Sequence, residues 1–279
     1  MQRRWSETRL AGRLRAARAH ALLGGLSFLS IFPLYWAVVT SLRPENDIFS
    51  TRLWPETPSL ENYARLLREI PFGAILANTA IMATSITVLQ LVTAIPAAYA
   101  IARWPNRYTK ALTALLVVTW LVPAQVIMVP NFVLVTRLGL LDTLAALVIP
   151  NAASAFAIML LCQSMQAFPR EVIEAARIDG AGEWRILLRL MLPALRASIA
   201  SLAILLFITA WNEYFWPLLV LRSLDQAVIQ IGLQMFMTSE GNHWGPLMAA
   251  ATLACLPILA IYALLQRQIV NSFTRSGLK

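Results

Sequence analysis

Lysine is almost missing from this 279-residue sequence, which carries it at Lys110 and Lys279 alone. A phosphate-cradling loop needs glycine before its lysine and serine or threonine after it. Lys110 follows Thr109 and Lys279 follows Leu278, so this chain cannot hold ATP that way. Histidine and cysteine are as scarce: His20, His243, Cys162 and Cys255 are scattered, and they predict neither a metal cluster nor a redox pair. Acids number 14 against 23 basic residues, and Glu213 alone interrupts an apolar run, too few for a proton relay. No nucleophile and base pair off inside those runs, so no catalytic residue is assigned and no enzyme is expected.

What the chain has instead is apolar length. Hydrophobic residues make up 58% and charged residues 13%, with a mean hydropathy of +0.64, far from the composition of a soluble domain. Uncharged runs cover 21–42, 70–102, 111–136, 143–169 and 241–266, and 197–221 is broken only by Glu213. Each exceeds the ~20 residues that cross a bilayer as helix. The expectation is an all-α membrane protein with six spanning helices.

Basic residues orient it. With both termini in the cytoplasm, the tail to Arg18 holds six, the 103–110 turn three, the 170–196 loop five and the end from Arg267 three, against six on the other side. Seventeen inside against six outside satisfies the positive-inside rule. The organisation is then a basic cytoplasmic segment over 1–20, a six-helix domain over 21–267 and a cytoplasmic tail over 268–279. Arg3 to His20, with Leu10, Leu14 and Ala17 on one face, is expected along the inner leaflet. Its arginines directly precede a span, which argues against a nucleic-acid partner.

The longest polar interval of the second half runs from Arg170 to Arg196. Pro169 suits a helix start, Glu171 the positive end of its dipole, and Gly180 a left-handed turn that ends it. Val172, Ala175, Ala176 and Asp179 fall at helical spacing and leave one side small and smooth, and a second helix runs from Glu183 to Leu192. Two readings stand on the residues alone: a plug for a groove on another protein, or a cytosolic hairpin with no partner.

The segment resembles the EAA loop of the permease subunits of bacterial ABC importers. Glu174-Ala175-Ala176, three residues, Gly180, nine residues, an aliphatic at Leu190, one residue and Leu192-Pro193 match in register, with Leu190 standing where isoleucine is usual. The resemblance implies a type I importer permease fold in a bacterial cytoplasmic membrane. It also implies that the loop over 168–193 couples to a separate ATPase through Glu174, Ala175, Ala176, Asp179, Gly180, Leu192 and Pro193. Expected partners are a second homologous permease, two ATP-binding subunits, an extracytoplasmic solute-binding protein and membrane lipid. No cofactor is expected on this chain; ATP and Mg belong to the ATPases.

Polar residues inside the spans mark either bonds between helices or a wet path. The second span carries Asn78, Thr79 and Gln90. The third holds Pro123, Gln125, Pro130 and Asn131 and is expected to kink or break, and Pro150, Asn151 and Ser154 repeat the pattern in the fourth. In the fifth, Trp211-Asn212-Glu213-Tyr214-Phe215-Trp216-Pro217 gathers aromatic faces and directional polar groups, as a sugar needs, or forms an outer aromatic belt. Gln90, Gln125, Asn131, Asn151, Asn212, Glu213 and Tyr214 are the pathway candidates. This phrase, Pro58-Ser59-Leu60-Glu61-Asn62-Tyr63 and the end from Gln266 resemble sugar-importer permeases, with Ser272 and Phe273 departing from the usual Gly-Leu. Ser59 is expected to cap a short helix with a Leu60, Tyr63, Leu67, Ile70 stripe. The expected function is import of a sugar or sugar-like solute; a self-contained secondary transporter or channel is the alternative.

Overall fold

The computed structural model describes residues 2–238 and 241–276, with side chains over 16–237, 243–264 and at 266. The helices in order are α1 (Gln2–Ser41), α2 (Glu61–Glu69), α3 (Phe72–Arg103), α4 (Arg107–Leu121), α5 (Ala124–Arg137), α6 (Leu144–Val148), α7 (Ala155–Gln166) and α8 (Arg170–Ile178). There follow α9 (Glu183–Arg185), a π-helical stretch Ile186–Met191, α10 (Leu192–Ala194), α11 (Arg196–Trp211), α12 (Phe215–Val220), α13 (Ile229–Gln234) and α14 (Trp244–Ser276). One antiparallel hairpin pairs β1 (Met237–Thr238) with β2 (Gly241–Asn242).

Three helices are long and apolar enough to cross a membrane unbroken: Ala16–Ser41, Phe72–Arg103 and Trp244–Leu264. Three bent pairs, each a broken span or a re-entrant loop, bring the candidate spans among the described residues to as many as six: Arg107–Leu121 with Ala124–Arg137 at 95°, Leu144–Asn151 with Ala155–Gln166 at 44°, and Glu183–Ala194 with Arg196–Trp211 at 79°. The third-span break falls where proline chemistry puts it. Val122 is forced extended at ψ 122° ahead of Pro123, which starts α5 without an N–H to offer. In the fourth span Ser154 is extended and its Oγ accepts from Ala157 N at 3.2 Å, restarting the helix as α7. The fifth differs from the continuous 197–221 expected. α11 stops at Trp211, and Asn212 to Tyr214 form a non-helical link to α12.

The chain divides into two compact units. The smaller comprises Met1–Glu69 and Phe236–Leu253. Its backbone is one helix from Gln2 to Ser41, with no break at His20; the side chains of Leu10 and Leu14 lie outside the described residues. Arg43, one of the six basic residues expected on the outer side, is fully buried. Its guanidinium lies 5.1 Å from the Trp36 ring centroid and donates to the carbonyls of Asp47, Ser50 and Arg52, winding the loop after α1 around one cation. In α2, Ser59 Oγ accepts from Glu61 N at 3.1 Å, as expected of a cap. Of the apolar stripe, Leu60 and Leu67 are exposed, Tyr63 is half-buried and Ile70 is buried, whereas within α2 itself Asn62 and Leu66 are the buried residues. The reason is polar, since Asn62 Nδ2 donates to the carbonyls of Ser41 at 2.9 Å and Arg43 at 2.7 Å.

A Cβ on Gly245 would overlap that Asn62 amide. Gly245→Ala therefore has to displace a buried side chain that holds two carbonyls, and it is expected to destabilise this unit by about 1–3 kcal/mol. Thermal unfolding of the purified chain measures it, and Asn62→Ala combined with Gly245→Ala should cost less than the two singles summed.

The larger unit comprises Ile70–Met235 and Ala254–Lys279. Its core sits where α3 meets α7 and α11: Ala94 and Ala98 let the helices approach, and Leu161, Met165, Leu202 and Leu206 fill the space between them. Asp142 adopts φ 59° after the Gly139 turn, and its Oδ1 accepts from Arg222 N and Ser223 N, each at 2.9 Å. The Arg222 and Ser223 N–H groups hold its carboxyl below the usual carboxylate range. At the C-terminal end, α14 runs through the tail expected to begin at 268, while the side chains of Ser272 and Phe273 lie outside the described residues.

Candidate functional site

Pro169 stands one position ahead of α8 and leaves Glu171 in its first turn. The far end closes as its residues require. Asp179 is the last near-helical residue, Gly180 turns left-handed at φ 79°, Gly180 N donates to Arg177 O at 3.0 Å and Ala181 N to Ala176 O at 2.9 Å. Those two bonds form the paired pattern of a Schellman motif, with Ala176 against Ala181 as its apolar contact.

The two sides of α8 are now distinct. Ile173 is 1% exposed in the core beneath α3 and α7, and Ala176 is half-buried against the same core. Val172, Ala175 and Asp179 face outward, Glu174 is exposed on the side of Arg170 and Arg177, and Ile178 is 86% exposed. Ala176 thus belongs to the packed side rather than to the smooth one. Leu190 and Leu192 are half-buried on that core, and Pro193 is exposed in α10.

Sequence reasoning missed what fastens the loop. Glu183 Oε2 accepts from Tyr99 Oη at 2.6 Å, and Glu183 Oε1 takes Arg177 Nε at 2.9 Å and Nη2 at 2.8 Å. One carboxylate thereby ties the end of α8 to α3. Eighty-four positions separate Tyr99 from Glu183, and no local pattern links them. Ile178 had a readable signal, an isoleucine three residues after Ala175 on the same face.

The pathway candidates do not converge on one site. Gln90 Nε2 donates to Asn151 O at 2.9 Å, beside Thr93 Oγ1 to Ala152 O at 3.0 Å, so α3 satisfies the backbone exposed where the fourth span breaks. Asn212 Oδ1 accepts weakly from Gln230 Nε2 at 3.4 Å, Glu213 Oε1 accepts from Trp216 N at 3.3 Å, and Tyr214 meets Phe215 edge-on at 5.3 Å. Gln125 is exposed on α5 and Asn131 is half-buried there. Trp216 is not an aromatic-belt residue: it is buried, and its Nε1 donates to Ala146 O at 2.9 Å. Among the described residues no three His, Cys, Asp or Glu side chains gather as a metal site.

Asn78 and Thr79 brace the segment before α13. Asn78 Nδ2 donates to Asp225 O at 2.8 Å, and buried Thr79 Oγ1 accepts from Ile229 N at 2.8 Å. Thr79→Val leaves that N–H unpaired in a dry place, and a loss of about 1–3 kcal/mol is expected, visible as faster amide exchange at Ile229.

Known proteins share both the sequence and the fold. Residues 90–275 match the family model described as binding-protein-dependent transport system inner membrane component. The lactose transport system permease protein LacG of Rhizobium radiobacter is 30% identical over 269 residues, covering 96% of this chain and 98% of the relative. The sn-glycerol-3-phosphate transport system permease protein UgpE of Yersinia enterocolitica is 31% identical, covering 89% and 92%. The arabinooligosaccharides transport system permease protein AraQ of Halalkalibacterium halodurans is 29% identical, covering 91% and 93%. Among solved structures, a chain of a bacterial ABC transporter involved in the import of the acidic polysaccharide alginate superposes with a TM-score of 0.80 at 24% identity, covering 92% of this chain and 97% of that one. By this match and these relatives the chain is a member of the binding-protein-dependent transport system inner membrane component family, the permease subunits of ABC importers.

Proposed function

We propose that this chain imports a sugar or sugar-like solute as one of two related permeases, and that the outward face of α8 receives the motion of an ATPase. The observation that carries this reading is the two-sidedness of α8. Its inner side is fixed by Ile173 and by the Tyr99, Glu183, Arg177 chain, while Val172, Ala175, Ile178 and Asp179 are left for another surface. A lever needs both a rigid back and a free front.

ATP and Mg bind the partner subunits and supply the free energy; this chain transmits it through α8 to α3 and through the π-helical stretch to α11. Both termini and the α8 loop lie in the cytoplasm in this reading, supported by the distribution of Lys and Arg. The solute class is supported by relatives named for lactose, arabinooligosaccharides and sn-glycerol-3-phosphate. An external solute-binding protein is supported by a second alginate transporter structure, solved in complex with a pentasaccharide-bound periplasmic protein, at TM-score 0.65 and 15% identity. Asn212, Glu213 and Tyr214, in the break between α11 and α12, are the best placed of the candidates to meet solute, because the helix is interrupted there.

Two measurements test this. With Cys162 and Cys255 replaced by serine, Ile178→Cys should react with a membrane-impermeant maleimide in inside-out vesicles and resist it in right-side-out ones. Liposomes carrying the chain alone should take up no sugar, and uptake should need the ATPases, the second permease and the binding protein. Labelling from outside, or uptake by the chain alone, overturns the reading, the latter in favour of a self-contained carrier.

A further inference from the structure

We infer that the cleft between the end of α3 and the inner side of α8 binds the phosphate of an anionic membrane lipid. The cleft has a volume of about 140 Å³, and its lining includes Arg103, Arg170, Arg177, Glu174, Ala102 and Ile173. A cavity needs only ~10–15 Å³ to hold one water, so there is room for a headgroup phosphate.

Charge in this cleft is unbalanced. Three guanidinium groups face one lining carboxylate; Glu183 takes Arg177, and neither Arg103 nor Arg170 is in an ion pair among the described residues. Arg103 Nε is moreover buried without a hydrogen-bond partner. Arg103 is half-buried while Arg170 and Arg177 are exposed, and a donor left unmade at the buried Arg103 Nε is costly. A phosphate answers both conditions, because its oxygens accept from several guanidinium forks at once.

The depth points to a lipid as its source. Arg103 is the last residue of a 32-residue apolar helix, and the following Trp104 is 46% exposed, as aromatics at headgroup level are. Basic pockets between spans on the cytoplasmic side are the usual receptors of anionic headgroups. Half-buried Ala102 supplies an apolar flank for the glycerol backbone. A lipid seated there presses on the side of α8 opposite its free face, so the stiffness of the loop depends on the leaflet around it. Assignment to the cytoplasmic leaflet rests on the topology proposed above; the cleft itself does not.

The test uses the full chain, purified in detergent with its co-purifying subunits, and native mass spectrometry with dioctanoyl phosphatidylglycerol, dioctanoyl phosphatidylcholine and inorganic phosphate. Phosphatidylglycerol should bind roughly tenfold more tightly than phosphatidylcholine. Arg103→Gln with Arg170→Gln should remove about that tenfold, as expected for losing charge-assisted hydrogen bonds. Arg107→Gln, at an exposed guanidinium stacked on Tyr108, should change nothing. Arg103→Lys with Arg170→Lys should fall between, separating loss of charge from loss of fold. Equal binding of the two lipids, or unchanged binding in the glutamine variant, overturns the site. Inorganic phosphate binding as tightly as phosphatidylglycerol overturns the lipid source. Loss of the ATPase subunit with no change in lipid binding assigns the arginines to a protein contact and also overturns it. Detergent exposes both faces, so a failed topology leaves this result standing, and a failed lipid site leaves the topology standing.

Discussion

Gly180→Asp should lower solute-stimulated ATP hydrolysis in the assembled importer at least about tenfold while the chain still inserts and folds. At φ 79° a side chain is strained by about 1–2 kcal/mol, yet a Cβ there meets nothing within 4 Å, so the penalty stays local to the turn. The turn decides how α8 is presented. If Gly180 relaxes toward ordinary φ, the bonds from Gly180 N and Ala181 N are lost and Asp179 and Ile178 move off the free face. A second carboxylate beside Asp179 adds repulsion toward any acidic rim. A docking loss of only about 1.4 kcal/mol is tenfold in affinity, and a fall of at least roughly that size is expected in stimulated turnover. Gly180→Ala, with strain but no charge, should fall less. The measurements are subunit stoichiometry after affinity purification and ATP turnover with and without solute; full values of both in Gly180→Asp remove the coupling role of the loop.

Glu183→Ala should cost nearly as much by another route. The Arg177 to Glu183 pair is 43% and 36% exposed and contributes at most about 1 kcal/mol. Tyr99 is 4% exposed, and its hydroxyl without Glu183 is a buried donor left unpaired, worth about 1–3 kcal/mol. The tyrosine term therefore dominates. Glu183→Gln, whose amide oxygen still accepts, should keep about half of the stability lost in Glu183→Ala. Tyr99→Phe added to Glu183→Ala should recover part of that stability but not the stimulated ATPase rate, because α8 remains untied from α3. Melting temperatures and turnover of the wild type, these three variants and Tyr99→Phe alone decide it: additive losses would mean that Tyr99 and Glu183 do not act together.

Local chemistry was legible in the sequence wherever a residue acts on its own neighbours. Pro123 breaks the third span, Ser154 restarts the fourth, Ser59 caps α2 and Gly180 closes α8, each through a constraint on its own backbone. What stayed hidden depends on partners far along the chain. Arg43 reads as a surface charge until three carbonyls and Trp36 enclose it, and Trp216 reads as a belt residue until Ala146 O receives its indole N–H. Gln90 and Asn151 stand out in the sequence as polar residues inside apolar runs, but their spacing does not reveal that they meet each other. The break at Asn212 to Tyr214 was missed because no proline or glycine announces it; Pro217 follows only after α12 has begun.

The stretch Ile186–Met191 winds wider than its surroundings, with i to i+5 bonding that accommodates one more residue than an α-turn would. Excising a single amino acid there, such as Leu188, would let the coil tighten to regular α geometry at almost no loss of length. The wide turn already holds that extra residue within one revolution, so its removal leaves Pro193 and the stretch beyond it at nearly the same azimuth. A one-residue deletion should therefore be better tolerated here than within α11, where each residue removed rotates everything downstream by about 100°.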